Sequence, residues 1–288
     1  MRSLVQNVAC LLLTSLVLVG VARAGTATGV TGLYYTGVNN SGNTLPGGSQ
    51  DGHWTVSYAS VPGTSDANYQ GAAYVVSNNE LGGNWVPNSS TARWITAPGA
   101  ATSETGSNVN GGGAFLPGNG TTGTNAGQYI YRLAFTINGT GTGAVTNQVS
   151  ISLTVASDDQ YAIYLNPTLN ANGSINTAAS TQVGSGSSAW DNTSAEYMQN
   201  YEGGGHADNA DFVIGTNYIY VVVDNTNSIA GSSTSNALNP SGLLVYQVGS
   251  AINISPKPVP EVGAILPVVG ALGLLLFRRF RPGAASPV

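Results

Sequence analysis

The sequence predicts an all-β protein, an antiparallel two-sheet sandwich or jelly roll, carried between an N-terminal signal helix and a C-terminal transmembrane helix. Three observations support this. Two segments alternate apolar and polar residues with a period of two. Short β-branched and aromatic runs are separated by Gly, Asn, Ser and Thr turns. Between the N-terminal apolar run and residue 256 no convincing apolar repeat has helical spacing.

Taken in order, Leu4 to Val21 form an apolar run behind Arg2, and Ala22-Arg23-Ala24 has the small-x-small form that signal peptidase cleaves. Residues 1–24 are therefore expected to be a signal peptide with Ala22 and Ala24 at the cleavage site, and the exported chain to begin at Gly25. The only cysteine, Cys10, leaves with it. Asn7 sits where a lipoprotein signal wants a large apolar residue, so Cys10 is not read as a lipid anchor. A chain without thiols has no disulfide, thiolate metal site or cysteine nucleophile, and its core alone must stabilise it.

Residues 25–255 fit one large β domain. Its only cations are Arg93 and Arg132, against eight Asp and four Glu, a net charge of −10. Nucleic acid is not an expected partner, because binding it needs a Lys/Arg footprint. With charge so sparse, Ser, Thr, Asn and Gly must cover the surface.

The strongest strand lies at Tyr129 to Ile137, where Tyr129, Tyr131, Leu133, Phe135 and Ile137 share one face and Arg132 and Thr136 the other. Val149 to Val155 repeats the pattern with Val149, Ile151, Leu153 and Val155. Asn138-Gly139 and two further glycines join the two segments, which predicts an antiparallel hairpin with a longer loop. Further strands are expected at 32–36, 53–59, 72–77, 93–96, 161–166, 212–214, 218–223 and 243–248. Tyr218 to Val223 is apolar on both faces and is the candidate central strand. The low-complexity segments 102–127 and 170–188 are expected to be surface loops.

Candidate chemistry is sparse. Gly118-Asn-Gly120-Thr-Thr-Gly123 has the letters of a dinucleotide fingerprint but lacks the helix and βαβ unit that give it meaning. His206 lies among three carboxylates between Glu202 and Asp211, in what reads as a solvated loop. No catalytic motif of the metalloprotease or serine-hydrolase kind occurs, and no catalytic residue is assigned. No cofactor is expected. Calcium is the one ion considered, with Asp158 and Asp159 as candidate ligands, although adjacent Asp residues also form ordinary turns. Trp54, Trp85, Trp94, Trp190 and fourteen tyrosines suggest sugar stacking. Trp54 and Trp94 fall within strand patterns and are assigned to the core; Trp190, Tyr197 and Tyr201 are the candidate glycan contacts.

A set of short words then aligns in order: Thr31-Gly-Leu33, Asp51-Gly-His-Trp54, Trp85-Val-Pro-Asn88, Arg93-Trp-Ile95 with Pro98, Tyr129-Ile-Tyr-Arg132 with Phe135, Gly215-Thr-Asn217, Val222-Val-Asp-Asn225 and Asn239-Pro-Ser-Gly-Leu243. After them come Pro258, Val259, Pro260 and Glu261, an apolar run 262–277, and Arg278, Arg279 and Arg281. The chain resembles bacterial PEP-CTERM proteins along almost its whole length. The resemblance implies a galactose-binding-like sandwich, export, recognition of residues 256–288 by an exosortase-like membrane protease, and display at the cell surface or in an extracellular polysaccharide matrix. The sequence departs from the family's usual Pro-Glu-Pro, since Val262 follows Glu261.

The apolar run has 16 residues. As a helix it would reach about 24 Å against a hydrocarbon core of about 30 Å, which suits a temporary anchor with the arginines on the cytoplasmic side. The expected function is non-enzymatic surface or matrix display with glycan binding. The alternatives are a self-assembling subunit of a surface layer or fibre, and a glycan-active hydrolase.

Overall fold

A computed structural model of the protein describes residues 25–58, 69–81, 85–98, 127–186, 191, 193–201, 208–225 and 241–256. Within them the protein is all-β, and every pairing between named strands is antiparallel. The strands are β1 (Thr26–Thr31), β2 (Gln50–Tyr58), β3 (Tyr69–Val75), β4 (Ile95–Thr96), β5 (Gly127–Thr140), β6 (Gly143–Ala144), β7 (Asn147–Asp158), β8 (Gln160–Leu165), β9 (Gln182–Gly186), β10 (Ser194–Gln199), β11 (Val213–Asn225) and β12 (Gly242–Pro256). The predicted signal helix and transmembrane helix lie outside the described residues. Among the described residues no helix is long and apolar enough to cross a membrane.

Hydrogen bonding follows one path, β10-β7-β12-β4-β3-β2-β5-β11-β8-β9, with β1 added to β5 and β6 to β11. Two-residue β4 bridges β12 to β3 and so makes one sheet of what would otherwise be two layers. The sheet curls until β9 and β10, the ends of the path, face each other. The result is a barrel-like sandwich that is almost closed.

β5 and β7 alternate as their sequences predict. Tyr129, Tyr131, Leu133, Phe135 and Ile137 are buried on one, and Val149, Ile151, Leu153 and Val155 on the other, all in one core. They do not form the predicted hairpin. β5 pairs with β1, β2 and β11, and β7 with β10 and β12, so the two strands are opposite walls of the core. Inward-facing periodicity fits either arrangement, because it specifies a strand's face and not its neighbour.

Two more expectations change. The predicted strands at 212–214 and 218–223 are one strand, β11, running through Gly215, which has φ of +100°. The expected strand at 32–36 is displaced: β1 ends at Thr31, where Gly32 with φ of +83° turns the chain away. Trp54 and Trp94 are fully buried, as predicted. Their indole N–H groups are satisfied by backbone carbonyls, Trp54 Nε1 donating to Tyr34 O at 3.2 Å and Trp94 Nε1 to Val86 O at 2.6 Å. Trp94 packs on Trp85 with ring centroids 4.4 Å apart.

Buried asparagines extend the ladder where strands stop. Asn147 Oδ1 accepts the Ala27 N–H at 2.7 Å while its Nδ2 donates to Ala27 O at 3.0 Å, which ties β1 to the start of β7. Asn200 does the same for β7, accepting from Val149 N at 2.9 Å and donating to Asn147 O at 3.0 Å. One amide side chain presents both a donor and an acceptor, as a peptide group does, so it satisfies backbone groups that water cannot reach.

Candidate functional site

β11 is the central strand its double apolarity predicts, with β5 on one side and β8 on the other. Ile219, Val221 and Val223 enter the main core. Tyr220 and Val222 point outward, yet they too are buried, in a second cluster with Ile130, Tyr164 and Ile175. The cover comes from the excursion between β8 and β9.

That excursion is ordered by its own polar side chains. Asn166 at φ of 47° donates from Nδ2 to Asn217 Oδ1 at 2.9 Å and accepts the Tyr218 N–H at 2.8 Å, anchoring the departing chain to β11. Asn is one of the few non-glycine residues that tolerate this left-handed conformation. Beyond it, Asn170 N donates to Ser174 O and Asn176 N to Thr168 O, each at 2.8 Å, closing a small loop that presents Ile175 inward. The chain then enters β9, which pairs with β8. Part of the expected surface loop 170–188 is thus a wall built on the sheet.

Between this wall and the strands lies an open groove of about 510 Å³. Its floor follows the strand register. Gln160, Asp224 and Gln128 form one row across β8, β11 and β5, and Ala162, Val222 and Ile130 the next. Tyr164 borders the apolar row, and Thr177, Gln182 and Ser185 line the wall side. The lining thus joins one carboxylate and three primary amides to a small apolar and aromatic floor. Among the described residues that line it, Asp224 is the only charged one. Amides, hydroxyls and a carboxylate supply both donors and acceptors for a hydroxyl-rich ligand.

Beneath the groove's edge, buried Tyr161 donates its hydroxyl to Glu196 Oε1 on β10 at 2.5 Å. Burial pushes the Tyr161 hydroxyl up from its ordinary value, and the bond to Glu196 pushes it further, so it stays neutral. Burial also raises Glu196, against the opposing hydrogen bonds from Tyr161 and the Ser185 backbone N–H.

A second cavity, of about 340 Å³, is lined by Val38, Asn39, Asn40, Leu45, Gln50 and His53, among others. His53 stacks on Tyr34 with centroids 3.4 Å apart and planes 8° from parallel. Next to it, buried Asp51 accepts backbone N–H groups from Gly37 at 2.7 Å, His53 at 2.8 Å and Trp54 at 3.0 Å. Burial raises the Asp51 carboxyl from its usual value, opposed by those three hydrogen bonds and by the charge of His53. The Asp51-Gly-His-Trp54 word is therefore a knot that holds the 37–54 segment.

The residues proposed from sequence do not assemble into this groove. Tyr197 is 39% exposed on β10, and Tyr201 is half-buried in the bend that follows; neither lines the groove. Trp190 lies outside the described residues, as do His206, Gly118 to Gly123, Ala22 and Ala24, the tail motif Pro258 to Glu261, and Arg278, Arg279 and Arg281. Asp158 is buried at the end of β7, and Asp159 follows in the turn to β8, its carbonyl accepting from Ser157 Oγ at 3.0 Å. Among the described residues no group of three His, Cys, Asp or Glu side chains is arranged to hold a metal ion. Sequence reasoning missed Gln128, Gln160, Gln182, Tyr164 and Asp224. The available signal was the second apolar face of β11, which needs a cover, and a cover on a sheet makes a groove at its margin.

No family model matches the chain, and no curated protein matches it. Among solved structures, the chain is similar to the cysteine protease and lectin-like domains of Cwp84, a surface layer associated protein of Clostridium difficile, at 15% identity and a TM-score of 0.20. The match covers 78% of this chain and 53% of that one. A clostridial Cwp84 cysteine protease after propeptide cleavage matches at 14% identity and a TM-score of 0.19, over 82% of this chain and 66% of the other. The chain thus spans less than two thirds of either structure, and likenesses of this size carry no argument about activity.

Proposed function

We propose that the protein is an exported, non-enzymatic surface or matrix component whose jelly-roll-like sandwich binds glycan in the groove between β5, β11, β8 and the 166–182 wall. The observation that carries this reading is the row Gln160, Asp224 and Gln128 beside an apolar floor edged by Tyr164. Sugars present hydroxyls at their rims and C–H surfaces on their faces, and such a lining offers partners for both. The flanking segments fit the same reading: residues 1–24 direct export, and residues 256–288 pass through the membrane at least transiently while an exosortase-like protease recognises Pro258 to Glu261.

Retention on polysaccharide columns tests the reading directly. The full chain is expected to be retained by at least one extracellular polysaccharide and released by its free oligosaccharide. Gln128→Ala and Tyr164→Ala are each expected to weaken retention. No retention on any polysaccharide would sink the proposal. Mass spectrometry of the mature protein tests the tail: processing predicts a C-terminus lacking Arg281.

The hydrolase alternative needs two carboxyl groups about 5 to 9.5 Å apart across a cleft. Asp224 is the one carboxyl group among the described lining residues, so they present no such pair. Assembly through open strand edges has less support, because β9 and β10, the ends of the strand path, cover one another.

A further inference from the structure

The charge pattern of the groove says which glycans it selects. Asp224 is half-buried in the middle of the polar row, paired in register with Gln128 on β5 and Gln160 on β8. Its two oxygens can accept both hydroxyls of a vicinal diol, and charge-assisted hydrogen bonds of this kind are among the stronger ones available. The same carboxylate penalises an anionic ligand. No Lys or Arg lines the groove among the described residues. The nearest cation in the register, Arg132, lies two positions along β5 from Ile130 and is held over the Tyr218 ring at 5.5 Å from its centroid. A uronate or sulfate seated on the floor would therefore face Asp224 without a counter-charge, in a partly desolvated site where repulsion is larger than in water. The field of residues 25–255, with two cations against twelve acids, opposes its approach as well.

We infer that the groove is selective for neutral, diol-bearing polysaccharide and discriminates against uronate-bearing and sulfated chains, with Asp224 as the residue that sets this preference. The inference rests on the glycan reading of the groove. It differs from that reading in assigning a charge class to the ligand and a specificity role to one side chain.

The test compares the full chain on neutral polysaccharides (dextran, mannan, galactan) and acidic ones (alginate, polygalacturonate, a sulfated galactan) at fixed ionic strength, with Asp224→Asn beside the native protein. The native protein should bind its best neutral polysaccharide at least ~10-fold more tightly than any acidic one, a difference of ~1.4 kcal/mol. Asp224→Asn should bind the neutral chain less tightly and shrink that ratio, because an amide keeps one acceptor but removes the repelling charge. Native protein that binds an acidic chain as well as or better than the neutral ones, with binding still lost in Gln128→Ala, overturns the selectivity while leaving the glycan groove standing. An unchanged ratio in a folded Asp224→Asn variant overturns the role given to Asp224. Failure to bind any of the six overturns both proposals. Thermal melting of each variant confirms that it is folded, and the comparison on native protein stands without any variant.

Discussion

The Tyr161 hydroxyl donates to Glu196 Oε1 at 2.5 Å, a bond that joins the strand at one end of the sheet's order to the strand next to the other end. Tyr161 belongs to β8 and Glu196 to β10. Between them β9 passes so close that a Cβ built on Gly184 would collide with the Glu196 carboxylate, and one built on Gly186 with the Tyr161 ring. The bond therefore acts as a side-chain clasp on the seam of the barrel.

This clasp predicts a pH dependence. Burial holds Glu196 above its ordinary carboxyl value. A group raised in the folded state contributes stability that is fully present below the unfolded value, near 4.5, and is lost as pH rises through the higher folded value. Glu196→Gln keeps an oxygen acceptor for Tyr161 and has no charge to desolvate. In urea titrations from pH 4.5 to 7.5, the variant should gain stability relative to the native protein as pH rises. A native protein that gains on the variant over that range would contradict the assignment.

Asn209 is the second fastening on the seam. Its Nδ2 donates to Val183 O on β9 at 3.1 Å and to Tyr197 O on β10 at 2.9 Å, while its Oδ1 accepts from Gln199 N at 3.0 Å. Asn209→Ala removes all three of these hydrogen bonds to the two strands and should cost about 1 to 3 kcal/mol. Hydrogen exchange checks the location of the effect, with protection lost first in β9 and β10.

Asp51 should be more costly to remove. Asp51→Ala abandons three N–H donors, two of them buried and that of His53 part-buried, and a loss of about 2 to 4 kcal/mol in chemical denaturation is expected. Asp51→Asn should recover only part of it, because an amide nitrogen at either oxygen position turns a donor toward a donor.

Gly242 begins β12 beneath two indoles. A Cβ there would lie 2.9 Å from the Trp85 ring and 3.1 Å from Trp94. Since neither ring can retreat without leaving its packed position, Gly242→Ala should destabilise the protein by about 1 to 3 kcal/mol. A change in tryptophan fluorescence in the folded variant would place the strain at this pair.

The sequence by itself determined the all-β class, the inward faces of β5 and β7, the burial of Trp54 and Trp94, and the central place of β11. Each is a local property, since alternation and β-branched composition act on residues two apart, whatever strand lies alongside. Only the tertiary structure decided that β5 and β7 oppose each other across the core, that the short, polar β9 and β10 meet as a seam, and that Gln160, Asp224 and Gln128 stand in one row. The row joins residues up to 96 positions apart through the β5–β11–β8 register, and no repeat within a single strand encodes which strand will be its neighbour. Tyr197 and Tyr201 read as glycan contacts because they are aromatic residues in a loop-rich stretch of sequence, whereas the groove lies elsewhere, where a covered apolar face meets a polar strand end.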